Sequence, residues 1–274
     1  MKLAAPPVAE AARGLGLDVL QPVRASDGDV VERLRGLELD LGVVVAYGEI
    51  FRKPLLAAPR LGMFNVHASV LPRWRGASPI QAAIRAGDAT TGVTVFRLVR
   101  RMDAGPVLLT LDTEIPPDET AGMLHDRLAL LGATAVRVAV ARLAAEGEAT
   151  RLVAQDEALV TTCGLISKAD GRIDWSLPAA DVAHHVCAMT PWPGAQATVA
   201  DRAGRAVELV VTQARAVRGV GEPGRRIADA HEPLVVACGR DVVSIRRVKP
   251  AGRREMSASE FLRGTALAPD ARFG

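Results

Sequence analysis

The sequence predicts an α/β chain in two parts: a parallel, doubly wound domain, then a small antiparallel barrel or sandwich. Three observations carry this reading. Through residue 146, apolar strand-like runs alternate with helical patterns joined by short connections. One run, Leu41-Gly42-Val43-Val44-Val45-Ala46, is continuously apolar and rich in valine, the mark of a strand covered on both faces. From Gly147 the alternation stops, and short runs separated by Gly, Pro and charged turns take over.

A chain of 274 residues holds one large domain or two ordinary ones. Its 49% hydrophobic and 24% charged content is that of a globular protein, not a disordered one. With aromatics at 3%, the core must be built from Ala, Val and Leu. Cys163, Cys187 and Cys238 are scattered without metal-ligand spacing, which also argues against a disulfide framework. No run reads as long and apolar enough to span a bilayer, and the start lacks a leader pattern, so the cytoplasm is the expected compartment. Net charge is only +3, but residues 205–274 carry 13 Arg and Lys against 8 Asp and Glu. That bias suits a module meeting a phosphate backbone, and equally an ordinary solvated basic surface.

In order, the patterns predict a helix over residues 7–13, a strand over 17–23 and a helix over 27–38 capped by Asp27. The run at 41–46 ends at Tyr47-Gly48, where glycine permits a sharp turn. A short helix at 52–58, a strand into His67, a helix at 79–86, strands at 91–99 and 106–112, and one long helix or two over 119–146 complete the first part. A doubly wound domain normally begins with a central strand; this one begins with a helix. Residues 149–171 read as an irregular or extended connector. A helix over 179–189 carries His184 and His185, adjacent residues that suit packing and surface roles. Pro191-Trp192-Pro193-Gly194 is rigid punctuation. Short strands follow at 197–199, 206–211, 233–237 and 242–248. Ser257 and Glu260 have capping-box spacing for a terminal helix.

Candidate chemistry concentrates in residues 61–79. An apolar run ends there in Asn65 and His67, which the two-residue period of a strand places on one face. The C-terminal end of such a strand is where open α/β sheets keep a ligand crevice. A satisfied buried histidine beside a turn-forming asparagine is the plainer alternative. Asp103, in Arg101-Met102-Asp103-Ala104-Gly105, reads alone as a turn residue. Together the three offer an amide donor for a developing oxyanion, an imidazole that carries protons near neutral pH, and a carboxylate to orient it. The set fits transfer of a carbonyl-containing group to a nucleophile supplied by the substrate, without a covalent intermediate or a metal.

Residues 44–48, 62–81, 87–94, 102–106, 172–175, 191–195 and 249–256 resemble the folate-dependent formyltransferase family, closest to its members that act on charged tRNA. The resemblance implies a Rossmann-like, doubly wound formyltransferase domain over residues 1–148, a linker over 149–167, and a small OB-like β-barrel over 168–274 that binds tRNA. It implies transfer of the formyl group of 10-formyltetrahydrofolate to the free amine of methionyl-initiator-tRNA, for translation initiation, by direct attack. The family's catalytic Asn, His and Asp fall on Asn65, His67 and Asp103. Its folate contacts fall on Ala46, Tyr47, Gly48, Ser69, Leu71 and Pro72. Arg73, Arg75, Arg246, Arg247, Lys249, Arg253 and Arg254 are the candidates for RNA phosphates; no metal is implied, and a monomer is expected. Family members open with a strand, a Gly-Thr-Pro loop, a helix, a second strand and a basic loop. Residues 1–8 resemble only the end of that loop, so an N-terminally truncated sheet, with weakened or lost activity, is expected. Cys163-Gly164-Leu165 also replaces the family's Tyr-Ala-Pro-Lys-like turn. The alternatives are a formyltransferase acting on a sugar-nucleotide amine and an inactive folate- or RNA-binding remnant.

Overall fold

A computed structural model describes residues 5–229 and 231–274; residues 1–4, part of the stretch whose sequence resembles a family loop, lie outside the described residues. The first half contains α1 (Pro7–Gly14), α2 (Gly28–Gly36), β1 (Gly42–Val45), α3 (Lys53–Leu56), β2 (Met63–His67), β3 (Arg75–Gly76), α4 (Pro79–Arg85), β4 (Thr90–Arg97), β5 (Val107–Glu114) and α5 (Ala121–Glu146). Four strands form one sheet in the order β1-β2-β4-β5. Only β1 and β2 run parallel; β2 with β4 and β4 with β5 are antiparallel. The expected parallel sheet is therefore mixed. The loop joining β4 to β5 holds no helix and is too short for a parallel crossover.

β1 is an edge strand among the described residues, with Val43 and Val45 41% and 61% exposed, so it is not covered on both faces. Residues 17–23 form no strand: Leu17 and Val23 are exposed and find no ladder partner among the described residues. Asp27 stands at the N-cap of α2 but makes no capping side-chain bond.

Alternation sorts the side chains of β2. Phe64 joins the main core and Val66 packs toward Gly132 of α5, while Met63 joins Val31 of α2 and Leu55 of α3 in a smaller cluster. Asn65 and His67 share the Met63 face. α5 is one helix of 26 residues, capped by Thr120, whose hydroxyl accepts the Met123 N–H. Contrary to the sequence reading, it is long and apolar enough to cross a bilayer, with a mean hydropathy of 1.7 over its most apolar stretch. Its buried row of Leu124, Leu128, Ala135, Ala139 and Leu143 packs into the main core beside β4 and β5.

After α5 the chain returns as β6 (Thr162–Cys163), parallel to β3. Then come α6 (Ala179–Met189), β7 (Ala195–Ala200), β8 (Ala206–Val217), β9 (Arg226–Ile227), β10 (Val235–Ala237), β11 (Val242–Pro250), β12 (Met256–Ser257) and α7 (Ala258–Gly264). The Ser257–Glu260 capping box is formed. The strands make an antiparallel sheet in the order β7-β8-β11-β10-β9, with β12 on β11. This corrects the expected OB-like β-barrel: the sheet is open. β7 and β9 remain its edges, touched by the C-terminal tail through single bridges, Val199 with Phe273 and Arg225 with Arg272. With two and three residues, β9 and β10 are too short for the tilted, staggered ladder that closes a barrel. α6 packs on α4, where the ring of His184 meets Gly87. His185 is buried; desolvation lowers its pKa although the Gly171 carbonyl pulls the other way.

Candidate active site

Val45 of β1 stands opposite Val66 of β2 in parallel register. The turn after β1 (Ala46, Tyr47, Gly48) and the end of β2 (Asn65, His67) therefore share one edge of the sheet. Ala46 takes a left-handed φ of 48°, and the half-exposed Tyr47 meets Phe51 edge-on at 5.4 Å. His67 is 6% exposed, its ring edge-on to Phe96. Its Nε2 lies 2.8 Å from the Trp74 carbonyl. A carbonyl only accepts, so Nε2 carries the hydrogen. Nδ1 faces Asp103, whose Oδ2 is 3.7 Å away, a charge contact longer than a hydrogen bond.

Asp103 also has a left-handed φ of 48°, uncommon for a residue with a side chain. Its Oδ2 accepts the Gly76 N–H at 2.8 Å, and its carbonyl accepts from Gln155 Nε2 at 2.7 Å. Gly76 has a φ of 122°, and a Cβ there would fall on the Cys163 carbonyl, so only glycine fits. Between His67 and α4 the loop is pinned throughout. Ser69 Oγ donates to the Arg73 carbonyl at 2.6 Å. Thr94 Oγ1 donates to the Ser69 carbonyl at 2.7 Å and accepts the Leu71 N–H at 3.1 Å. Trp74 N–H donates to Thr161 Oγ1 at 2.9 Å. Asp88 accepts from Trp74 Nε1 at 2.7 Å and from Arg73 Nε and Nη2 at 2.8 and 2.6 Å. Burial alone would raise the Asp88 carboxyl; the Arg73 and Trp74 bonds more than offset it and hold it below the usual carboxylate range.

The structure thus brings His67 and Asp103 together, with Asn65 on the same strand face. Ser69, Leu71 and Pro72 belong to the pinned loop, where the Ser69 hydroxyl is committed to the Arg73 carbonyl. Arg75, a candidate for RNA phosphates in the sequence, is 4% exposed and held by Gln155 and Glu157. Arg73 stays partly exposed on Asp88. Arg246, Arg247 and Lys249 occupy exposed positions of β11, and Arg253 and Arg254 the exposed turn before β12. Arg246 pairs with Glu232 and Arg247 with Glu255. Cys163, Cys187 and Cys238 are free thiols; burial raises all three, to about 11 for Cys187 and about 12 for Cys238. Nothing in the local sequence marks Gln155, Thr161 or Asp88 as supports of the site. Thr94, a hydroxyl within the apolar stretch 93–96, is the visible signal.

Comparison with known proteins places these features in context. The formyl transferase family model matches residues 2–140, and the formyl transferase C-terminal domain model matches residues 165–266. The chain is 45% identical over 263 residues to a methionyl-tRNA formyltransferase of Parvibaculum lavamentivorans, covering 96% of this chain and 84% of that protein. It is 42% identical over 268 residues to the methionyl-tRNA formyltransferase of Agrobacterium fabrum, covering 98% and 84%. Among solved structures, HypX from Aquifex aeolicus in complex with tetrahydrofolic acid superposes with a TM-score of 0.60 at 17% identity, over 89% of this chain and 43% of that one. An N-formyltransferase from Helicobacter canadensis in complex with folinic acid and dTDP-3-aminofucose gives 0.62 at 12% identity, over 86% and 81%. At these identities the structural likeness is one of fold.

Proposed function

Because the chain belongs to the formyl transferase family and matches its methionyl-tRNA members over nearly its whole length, we propose that it formylates methionyl-initiator-tRNA with 10-formyltetrahydrofolate as donor. The observation that carries the residue assignment is the His67–Asp103 contact at the crevice end of β2, braced by Gly76. In this reading the free amine attacks the formyl carbon, and the carbonyl electrons move onto oxygen. The Asn65 amide donates to that oxyanion. The amine's surplus proton leaves toward Asp103 and His67. Collapse breaks the bond from the formyl carbon to the folate nitrogen, which takes a proton from the same pair, so none is gained or lost. The imidazolium formed on the way has an acceptor at each nitrogen, the Trp74 carbonyl and Asp103. Holding both substrates in register supplies up to about 7–11 kcal/mol of the acceleration.

The donor's ring is assigned to the sheet end beside Ala46, Tyr47 and Gly48, with the apolar Leu71 and Pro72 of the pinned loop as its further contacts. Ser69 would act there through the loop it holds, its own hydroxyl being committed to the Arg73 carbonyl. Residues 1–148 form the catalytic part, 149–167 the linker and 168–274 the tRNA-binding part. Arg246, Arg247, Lys249, Arg253 and Arg254 meet phosphates, contacts that position the ligand without reading bases, and Arg73 stands at the rim. The cytoplasm is the compartment this reading expects.

Incubation with 10-formyltetrahydrofolate and charged initiator tRNA is expected to yield formyl-methionyl-tRNA, with no formylation of a dTDP-amino sugar. Formylation of the amino sugar alone, or donor binding with neither product, would overturn the assignment.

A further inference from the structure

We propose that Gln155 is a positioning residue for Asp103, and that residues 153–163 are a strap completing the active site. The role given to Asp103 rests on the formyl-transfer reading; the strap itself rests on contacts alone. Gln155 Nε2 donates to two carbonyls, those of Asp103 and Gly105, at 2.7 Å each. They flank Ala104 in the turn where Asp103 takes its left-handed φ. Held at both points, that turn cannot relax to a commoner backbone conformation without breaking a bond.

Gln155 Oε1 meanwhile accepts from Arg75 Nε and Nη2 at 3.0 and 2.8 Å. Arg75 is buried and ion-paired to Glu157 at 2.9 Å. The residue after it, Gly76, donates its N–H to Asp103 Oδ2. The contacts close a ring from Gln155 through Arg75, Gly76 and the Asp103 carboxylate to the Asp103 carbonyl and back to Gln155. One amide thereby fixes both the backbone and the side chain of Asp103.

The rest of the strap acts alike. Val153 exchanges backbone bonds with Val107 at 2.7 and 2.8 Å, beside the Asp103 turn. Thr161 holds the N–H of Trp74, whose carbonyl takes His67 Nε2. The Cys163 carbonyl accepts the Ala77 N–H at 3.2 Å. An amide is required at position 155: a carboxylate would still accept from Arg75 but would face two carbonyls with no hydrogen to give.

The test compares Gln155→Glu, Asp103→Asn and the double variant in the full chain. Gln155→Glu is expected to lower kcat about 10- to 100-fold with KM for both substrates within about twofold. In the Asp103→Asn background it should cost less than about twofold more, because positioning a lost charge gains nothing. Hydrogen exchange, read without substrate, should show the Gly76 amide exchanging at least about tenfold faster in Gln155→Glu while α5 and α6 are unchanged. If Gln155→Glu fails to fold, Gln155→Met, of similar volume, takes its place with the same expectations. Unchanged kcat and Gly76 exchange, or additive losses with faster exchange everywhere, would overturn the proposal. A wild-type chain that formylates nothing would instead overturn the formyl-transfer reading, and the exchange result would still decide the strap.

Discussion

Replacing Asp103 by Asn keeps the size of the side chain and an oxygen for the Gly76 N–H, and removes only the charge. In the proposed mechanism a proton passes to His67, and positive charge then forms on a ring whose Nδ1 is 3.7 Å from Asp103 Oδ2. At an effective dielectric of about 20, unit charges at that separation attract by about 4.5 kcal/mol. The His67 and Asp103 side chains are only 6% and 12% exposed, so water screens a minor part of this. A loss of about 3–4 kcal/mol follows, or two to three powers of ten in kcat. In that mechanism the pair acts on the transition state and not on substrate binding, so KM should barely change. The assay is initial-rate formation of formyl-methionyl-tRNA, with thermal unfolding of the same samples. A kcat within threefold of wild type at an unchanged Tm would refute the electrostatic role. A kcat loss that only tracks loss of folded protein would refute it too.

Two further outcomes follow from the loop's geometry. Gly76→Ala places a side chain against the Cys163 carbonyl at a φ of 122°. Strain of about 1–3 kcal/mol plus the weakened Ala77–Cys163 bond should lower the urea unfolding free energy by about 2–4 kcal/mol at constant m; an unchanged midpoint would contradict the close approach. Asp88 is depressed in the folded state, so its contribution is complete above its unfolded value near pH 4 and is lost as the pH falls through the folded value. Wild type should therefore exceed Asp88→Asn by about 1–2 kcal/mol at pH 7, the Arg73 partner being partly exposed. The two Tm values should converge as the pH falls through the depressed folded value; a gap independent of pH would assign the effect to shape.

Period and residue type made much of the site legible. Asn65 and His67 announce themselves as polar exceptions two residues apart at the end of an apolar run, and an Asp before Ala-Gly announces a turn. Their convergence is not written locally, since Asp103 reaches the site through Gly76 and Gln155. The sheets show the same boundary. Short runs between Gly, Pro and charged turns identify residues 242–248 and their neighbours as strands, but closure depends on the lengths and pairing of β9 and β10, which no single run encodes. Leu17 and Val23 have strand-like chemistry and, among the described residues, no ladder to join, so they remain irregular. Val43 and Val45 have the composition of a covered strand and stand at an edge. Propensity names a candidate; a partner decides.

The strap also sets the order in which catalytic competence is acquired. Gln155 follows Asp103 by 52 positions and Arg75 by 80, and Thr161 follows Trp74 by 87. A chain emerging from the ribosome has made Asn65, His67 and Asp103 long before the residues that hold them in place. Closing these long loops carries an entropic cost that only the assembled helices and sheet offset. In the proposed site, competence therefore depends on contacts that only the second half of the polypeptide can supply.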